Sequence, residues 1–232
     1  MADITLKGAP LKTIGSLPAI GSQAPDFTVT KVDLGEINLK NYLGRKIVLN
    51  IFPSLDTPTC STAMLRFNQI AEQIKDILIL CISADLPFAQ KRFCSAQHLD
   101  NVQPVSVFRH PKFGEHYGVT IIDGPLAGLL SRAVLLLDEQ GKVVYSEQVH
   151  ELSDEPNYSA LLAILGISTS NLKDIVYEWQ NNLAFREAFK KNPEQALKSS
   201  GFTVKPEDLT KILAMLKLDK SMNEKLDDRI SK

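Results

Sequence analysis

The chain is poor in the residues that most directly announce a function. It has only three cysteines in 232 residues, Cys60, Cys81 and Cys94, with no Cys-x-x-Cys pair. A secreted disulfide framework is thereby excluded, while thiol chemistry in a reducing compartment stays open. Charge of one sign is also missing. Lys and Arg number 26 against 27 Asp and Glu, a net charge of −1, so nothing draws the chain toward nucleic acid or an anionic membrane. No apolar run approaches the roughly 18 residues of a membrane span. The strongest, Ile77-Leu78-Ile79-Leu80-Cys81-Ile82, reads as a buried strand. The first seven residues, Met1-Ala2-Asp3-Ile4-Thr5-Leu6-Lys7, lack an apolar signal core, which argues against export by that route and for a cytoplasmic chain. Several catalytic motifs are incomplete. Gly124-Pro125 and Gly128 have no following Gly-Lys-Ser/Thr, and Ser131 lacks a nucleophile-elbow context. Cys94 and His98 stand four apart, but His110, His116 and His150 form no cluster to complete a metal site.

What is present is a pattern of alternating elements. Ile4–Leu6 and Leu11–Ile14 suggest an N-terminal hairpin around Lys7-Gly8-Ala9-Pro10. Strands are expected over Phe27–Val32, Lys46–Phe52, Ile77–Ser83, Val102–Val107, Ala133–Leu137 and Lys142–Glu147, the last two joined at Glu139-Gln140-Gly141. Helices are expected from Pro58 to about Ile74, over Pro87–Ala96 and Pro111–Tyr117, and over Glu155–Leu165 after Asp154. Continuous apolar strands with interleaved helices imply a sheet covered on both faces, an α/β fold.

Composition shifts near residue 167. Residues 167–232 carry 12 basic and 10 acidic side chains, against 14 and 17 in the much longer stretch 1–166. The connector Gly166-Ile167-Ser168-Thr169-Ser170-Asn171 places a domain boundary there, dividing the chain into 1–166 and 167–232. The second part reads as all-helical. Leu172, Ile175, Val176, Trp179 and Leu183 form a stripe that Phe185 and Phe189 extend. Asn192-Pro193 opens a helix that Gly201 ends, and Lys205-Pro206 opens another, with Leu209, Ile212, Leu213 and Leu216 on one face; Leu218, Met222, Leu226 and Ile230 continue at four-residue spacing.

The segment Phe52-Pro53-Ser54-Leu55-Asp56-Thr57-Pro58-Thr59-Cys60 is where chemistry is expected. A buried strand ends, a tight loop turns, and Cys60 falls in or near the first turn of a helix. Free backbone N–H groups and the helix dipole favour an anion there, so the thiol should ionise readily. Thr57 can aim a hydroxyl at the same point. The competing reading is that Cys60 is a small buried hydrophobe. Cys81 reads as a buried strand residue.

Pro53-x-x-x-Thr57-x-x-Cys60 is similar to the active-site motif of the peroxiredoxins. Asn50-Ile51-Phe52-Pro53-Ser54-Leu55-Asp56-Thr57, Cys81 to Gln90, Arg92-Phe93-Cys94, Asp123-Gly124-Pro125-Leu126 and Ser131-Arg132-Ala133-Val134 resemble the bacterial thiol peroxidase branch, in order and spacing. The resemblance runs over roughly residues 3–166. It implies a thioredoxin-like fold with an added N-terminal β-hairpin, and an atypical two-cysteine peroxiredoxin that needs no metal, haem or flavin. It makes Cys60 the peroxidatic nucleophile and Cys94 the resolving cysteine, with Thr57 and Arg132 binding the peroxide oxygens and Pro53 shielding the site from water. It implies hydrogen peroxide and organic hydroperoxides as substrates, thioredoxin as reductant and a homodimer. Both cysteine segments are then expected to rearrange between thiol and disulfide forms. The alternative is a peroxide-responsive sensor that signals through the helical C-terminal segment. That segment's Asn192–Phe202 stretch distantly resembles helical leader domains of the nitrile-hydratase-leader type. The match is short, and the alternative is an unrelated helical bundle; the segment's role is a structural cap, a module for an unknown partner or an extension of the dimer contact.

Overall fold

The computed structural model describes residues 1–74, 76–165, 175, 178–179, 182–202, 204 and 209. The chain divides into two compact units, Met1–Pro156 and Asn157–Lys232.

In the first unit, β1 (Asp3–Leu6) and β2 (Ala9–Lys12) form the expected N-terminal hairpin. A seven-stranded mixed sheet follows. Its strands are β3 (Thr28–Lys31), β4 (Glu36–Asn38), β5 (Lys46–Ile51), β6 (Ile77–Ser83), β7 (Gln103–Ser106), β8 (Ala133–Leu137) and β9 (Val143–Gln148), in the order β4-β3-β7-β6-β5-β8-β9. The centre, β5-β6-β7, is parallel; β8 and β9 add antiparallel on one side and β3 and β4 on the other. Between the parallel strands run α1 (Pro58–Gln73) and α2 (Pro87–Gln97), and α3 (Lys112–His116) follows β7.

Side chains alternate along a strand, so each central strand serves two faces. Ile47, Leu49, Ile51, Leu80, Ile82 and Leu135 join one continuous core with Phe27, Phe113 and Tyr117. The rings of Phe113 and Tyr117 stack at 4.6 Å, and Phe27 meets Phe113 edge-on at 5.5 Å. The opposite face presents Val48, Asn50, Ile79, Cys81 and Val134, all buried. Because both faces are covered, the central strands read as unbroken apolar runs, which is why they are visible in the sequence.

Two elements depart from expectation. Strand β4 was not anticipated. It is three residues long with one apolar side chain, and it returns to β3 through a turn in which Leu34 adopts φ 69° and Lys31 N–H donates to Gly35 O at 2.8 Å. A left-handed non-glycine residue hides that turn from sequence rules. The helix expected from Glu155 begins later, as α4 (Tyr158–Ile164). Asn157, not Asp154, is its cap and accepts from Ala160 N at 3.0 Å. Pro156 disfavours helical geometry at Glu155, so the chain stays extended until it has passed.

The second unit contains α4, α5 (Leu183–Lys191) and α6 (Pro193–Ser199). Asn192 caps α6 through Gln195 N at 3.1 Å, and Gly201, at φ 77°, follows its end. Ile175, Trp179, Phe185, Phe189, Leu197 and Phe202 form a buried cluster. The connector at 166–171 and, apart from Leu209, the helices expected over 205–216 and 218–230 lie outside the described residues. No helix among the described residues is long and apolar enough to cross a membrane.

Candidate active site

Helix α1 begins at Pro58, with Thr57 as its cap position and Cys60 as the third residue of its first turn. Proline suits this place because its missing N–H would have no intrahelical partner. The N–H of Cys60 is among the donors that a helix start leaves free. The Cys60 side chain is fully buried, and all three cysteines are free thiols.

Arg132 immediately precedes β8. By strand alternation its side chain shares the face of Val134 and Asn50, toward the helices rather than the aromatic core. It is 1% exposed. A buried guanidinium costs several kcal/mol unless its donors are used. Nε and Nη2 donate to the Leu152 carbonyl at 3.2 and 2.9 Å, and Nη2 also reaches Cys60 Sγ at 3.3 Å. Nη1 is buried and makes no hydrogen bond to the described residues. The site thus holds a cation against the sulfur and one donor in reserve.

The backbone of Arg132 is fixed as well. Its carbonyl accepts from Val149 N at 3.0 Å and from Gln148 Nε2 at 2.8 Å. The segment after β9 is therefore the scaffold of the site. Leu152 O orients the guanidinium, Ser153 O accepts from Thr59 Oγ1 in the first turn of α1 at 3.1 Å, and the Glu151 carboxylate accepts from Lys7 N, Gly8 N and Thr5 Oγ1 of the hairpin at 2.9, 3.0 and 2.8 Å. Ser153 donates to Glu151 through its N–H and its hydroxyl. Burial works against the Glu151 charge, but these donors outweigh it and hold the carboxyl well below the usual carboxylate range.

The other expected residues lie as follows. Pro53 is buried directly after β5 and Phe52. Thr57 Oγ1 donates to Ser54 O at 3.1 Å and not to Cys60, which leaves its lone pairs as its free function. Ser61 Oγ donates to Leu55 O and Thr57 O at 2.7 and 3.0 Å and so braces the loop. Cys94 is half-buried on α2, with its thiol pushed up to about 11 by burial. Cys81 is fully buried on β6 opposite Asn50, which contacts its sulfur at 3.6 Å, and burial raises that thiol to about 12. Cys81 is an inert core residue. Nothing in the sequence points to Leu152, because its contribution is a carbonyl, and no residue type signals one. Glu151 stands in an ordinary polar stretch, His150-Glu151-Leu152-Ser153-Asp154, with nothing to single it out.

The sequence matches the family described as Redoxin over residues 19–162. It is 53% identical over 166 residues to a thiol peroxidase of Mycobacterium tuberculosis, spanning 72% of this chain and 99% of the relative. The thiol peroxidase of Corynebacterium glutamicum is 47% identical over 165 residues, 71% of this chain and 99% of its own length. Among solved structures, a peroxiredoxin-like protein from Aquifex aeolicus matches with a TM-score of 0.68 and 37% identity, over 72% of this chain and 96% of that one. A thiol peroxidase from Chromobacterium violaceum shares the fold at a TM-score of 0.66 and 23% identity, over 71% and 95%.

Proposed function

The chain belongs to the redoxin family and is a peroxiredoxin-type peroxidase, and from that premise we propose a two-cysteine cycle in which Cys60 attacks the peroxide and Cys94 resolves it. The observation that carries the reading is the Arg132 Nη2 to Cys60 Sγ contact of 3.3 Å in the buried first turn of α1.

The reacting species is the Cys60 thiolate, and Arg132 Nη2 and the free N–H groups at the start of α1 are the donors set against its sulfur. The thiolate attacks the terminal oxygen of R–O–O–H in line with the O–O bond. An S–O bond forms, the O–O bond breaks, and the leaving oxygen takes a proton and departs as water or alcohol. Negative charge grows on that oxygen, within reach of the donors at Cys60 N and Arg132 Nη1. Preorganised donors of this kind are worth about 10²–10³ in rate each. Thr57 Oγ1, already donating to Ser54, offers its lone pairs to the peroxide O–H and so orients the attack. Pro53 covers the loop and presents no N–H to water.

Cys60 is then a sulfenic acid. The Cys94 sulfur attacks it, the S–O bond breaks, and the hydroxyl leaves with the thiol proton as water. Thioredoxin returns the disulfide to two thiols by exchange. This cycle requires a dithiol-reducing compartment, which favours the cytoplasm. Leu86, Phe88 and Phe108 are 53%, 64% and 39% exposed at the ends of the neighbouring strands β6 and β7, and a second copy of the chain is the occupant we assign to that apolar surface.

The test is peroxide turnover by the full chain with thioredoxin and its reductase. Cys60→Ser is expected to abolish it. Cys94→Ser is expected to consume one equivalent of peroxide and stop at a sulfenic acid that a dimedone-type reagent traps. Continued turnover by Cys60→Ser would overturn the assignment.

A further inference from the structure

In the two-cysteine reading, joining the free thiols of Cys60 and Cys94 as a disulfide is expected to rearrange two segments: the loop that leads into α1, and α2. The structure joins them through one polar cluster. Strands β6 and β7 end side by side, Ser83 opposite Ser106. Asp85, just beyond Ser83, accepts from Ser54 Oγ at 2.7 Å and Leu55 N at 2.8 Å, both in the loop that precedes Cys60. It also accepts from Ser83 Oγ at 2.8 Å. Having spent its proton there, Ser83 Oγ receives Gln90 Nε2 at 3.2 Å, from the first turns of α2. Gln90 Nε2 also donates to Val105 O at 2.9 Å, so its amide orientation is fixed by two acceptors. Ser106 Oγ donates to the Asp85 carbonyl.

Little else secures α2. Of its eleven residues only Pro87 and Gln90 are buried, its cap residue Leu86 supplies no side-chain bond, and it ends on His98 at φ 53°. A helix with few buried apolar contacts and no side-chain bond at its N-cap opens at low cost. Its one buried polar anchor is also imperfect, since Gln90 Oε1 is buried without a partner among the described residues. An unsatisfied buried acceptor penalises the closed form and leaves it poised.

We propose that Asp85, with Ser83 and Gln90, is a positioning latch that holds the Cys60 loop and the Cys94 helix in the peroxide-reactive arrangement and sets how fast they part for disulfide formation. The proposal rests on the reading of Cys60 and Cys94 as the reacting pair. Its consequence lies in the competition for the sulfenic acid. Closed, the latch keeps Cys94 away, and a second peroxide can add an oxygen to give the sulfinic acid while its remaining oxygen leaves as water or alcohol. Open, Cys94 arrives first and the disulfide protects Cys60.

The experiment compares wild type, Asp85→Asn and Ser54→Ala as full chains. Ser54 touches Asp85 but belongs to the Cys60 loop, so an effect of its loss on α2 can only be transmitted through the cluster. Hydrogen exchange of the reduced protein is read over residues 87–97 and over the sheet. Asp85→Asn is expected to speed exchange in α2 about tenfold and Ser54→Ala about threefold, with β5 and β6 unchanged. Sulfinic acid formed per turnover, counted by mass spectrometry, is expected to fall in the same order. Unchanged α2 exchange in both variants, or equal acceleration in β5 and β6, would overturn the latch. If wild type makes no Cys60–Cys94 disulfide under peroxide, the two-cysteine cycle fails instead, and the exchange data still decide the coupling.

Discussion

At the scale of single residues the two cysteines are held in opposite conditions. Cys60 faces a guanidinium and a helix start, whereas burial pushes the Cys94 thiol up from 9.0 to about 11. A thiol is the neutral form, so raising its folded value stabilises the folded arrangement below the unfolded value. That stabilisation is lost as pH climbs from about 9 toward 11. Cys94 is thus a poor nucleophile while α2 is folded, and it becomes an ordinary thiol once α2 opens. The disulfide-forming step, followed in a single turnover with one equivalent of peroxide, should rise with pH and level off near the value of a free thiol, about 8.5. A plateau reached only near 11 would mean that Cys94 attacks from within the folded helix, and the rearrangement of α2 would be wrong. Its place at a helix start singled out Cys60 in the sequence, whereas Cys94, Thr57, Pro53 and Arg132 stood out only through the family resemblance. The charge state of Cys94 was not legible, since it depends on how deeply one face of α2 sits.

At the scale of elements the N-terminal hairpin has a use that its sequence does not announce. Thr5 N donates to His150 O at 2.7 Å and Leu152 N to Thr5 O at 2.8 Å, so β1 continues onto the segment whose Leu152 carbonyl aims Arg132. Glu151 locks the hairpin turn to that same segment. Glu151→Gln keeps the shape but weakens five acceptor contacts. It should cost about 1 kcal/mol after solvent screening and slow Cys60 oxidation several-fold by loosening Arg132. Since the folded Glu151 value is depressed, its contribution is complete above the unfolded value of about 4.3 and fades as pH falls toward the lower folded value. The stability gap between wild type and Glu151→Gln, from urea unfolding, should therefore be flat from pH 7 to 4.5 and narrow below that. A gap that stays constant down to about pH 2 would show that folding leaves the carboxyl titrating ordinarily and that the anchor is unimportant. The hairpin itself was readable from Gly8 and the flanking apolar alternation. Its docking was not, because that relies on main-chain groups nearly 150 positions away in sequence.

At the scale of the whole molecule the two units were legible to different depths. The first announced itself through central strands that are apolar on both faces. In the second, the aromatic stripe read from the sequence is a packed cluster, with Trp179 edge-on to Phe189 at 5.4 Å and Phe185 at 5.5 Å from Phe189. What no periodicity could reveal is the surface that stays uncovered. Leu86 and Phe88 frame the start of α2, and Phe108 follows Ser106, whose hydroxyl accepts from Phe108 N and donates to Asp85 O. Three large apolar side chains therefore share the rim of the latch. Apolar side chains gathered at one rim mark a contact surface more often than chance exposure. Phe88→Glu places a charge in that contact without touching Cys60, Arg132 or the Asp85 bonds. In light scattering the wild type should have the mass of a dimer and Phe88→Glu that of a monomer, with α2 amides exchanging faster in the variant because the partner no longer covers the helix. A monomeric wild type would remove the second copy from the proposal. A dimeric Phe88→Glu would place the interface elsewhere and leave the apolar rim for another ligand.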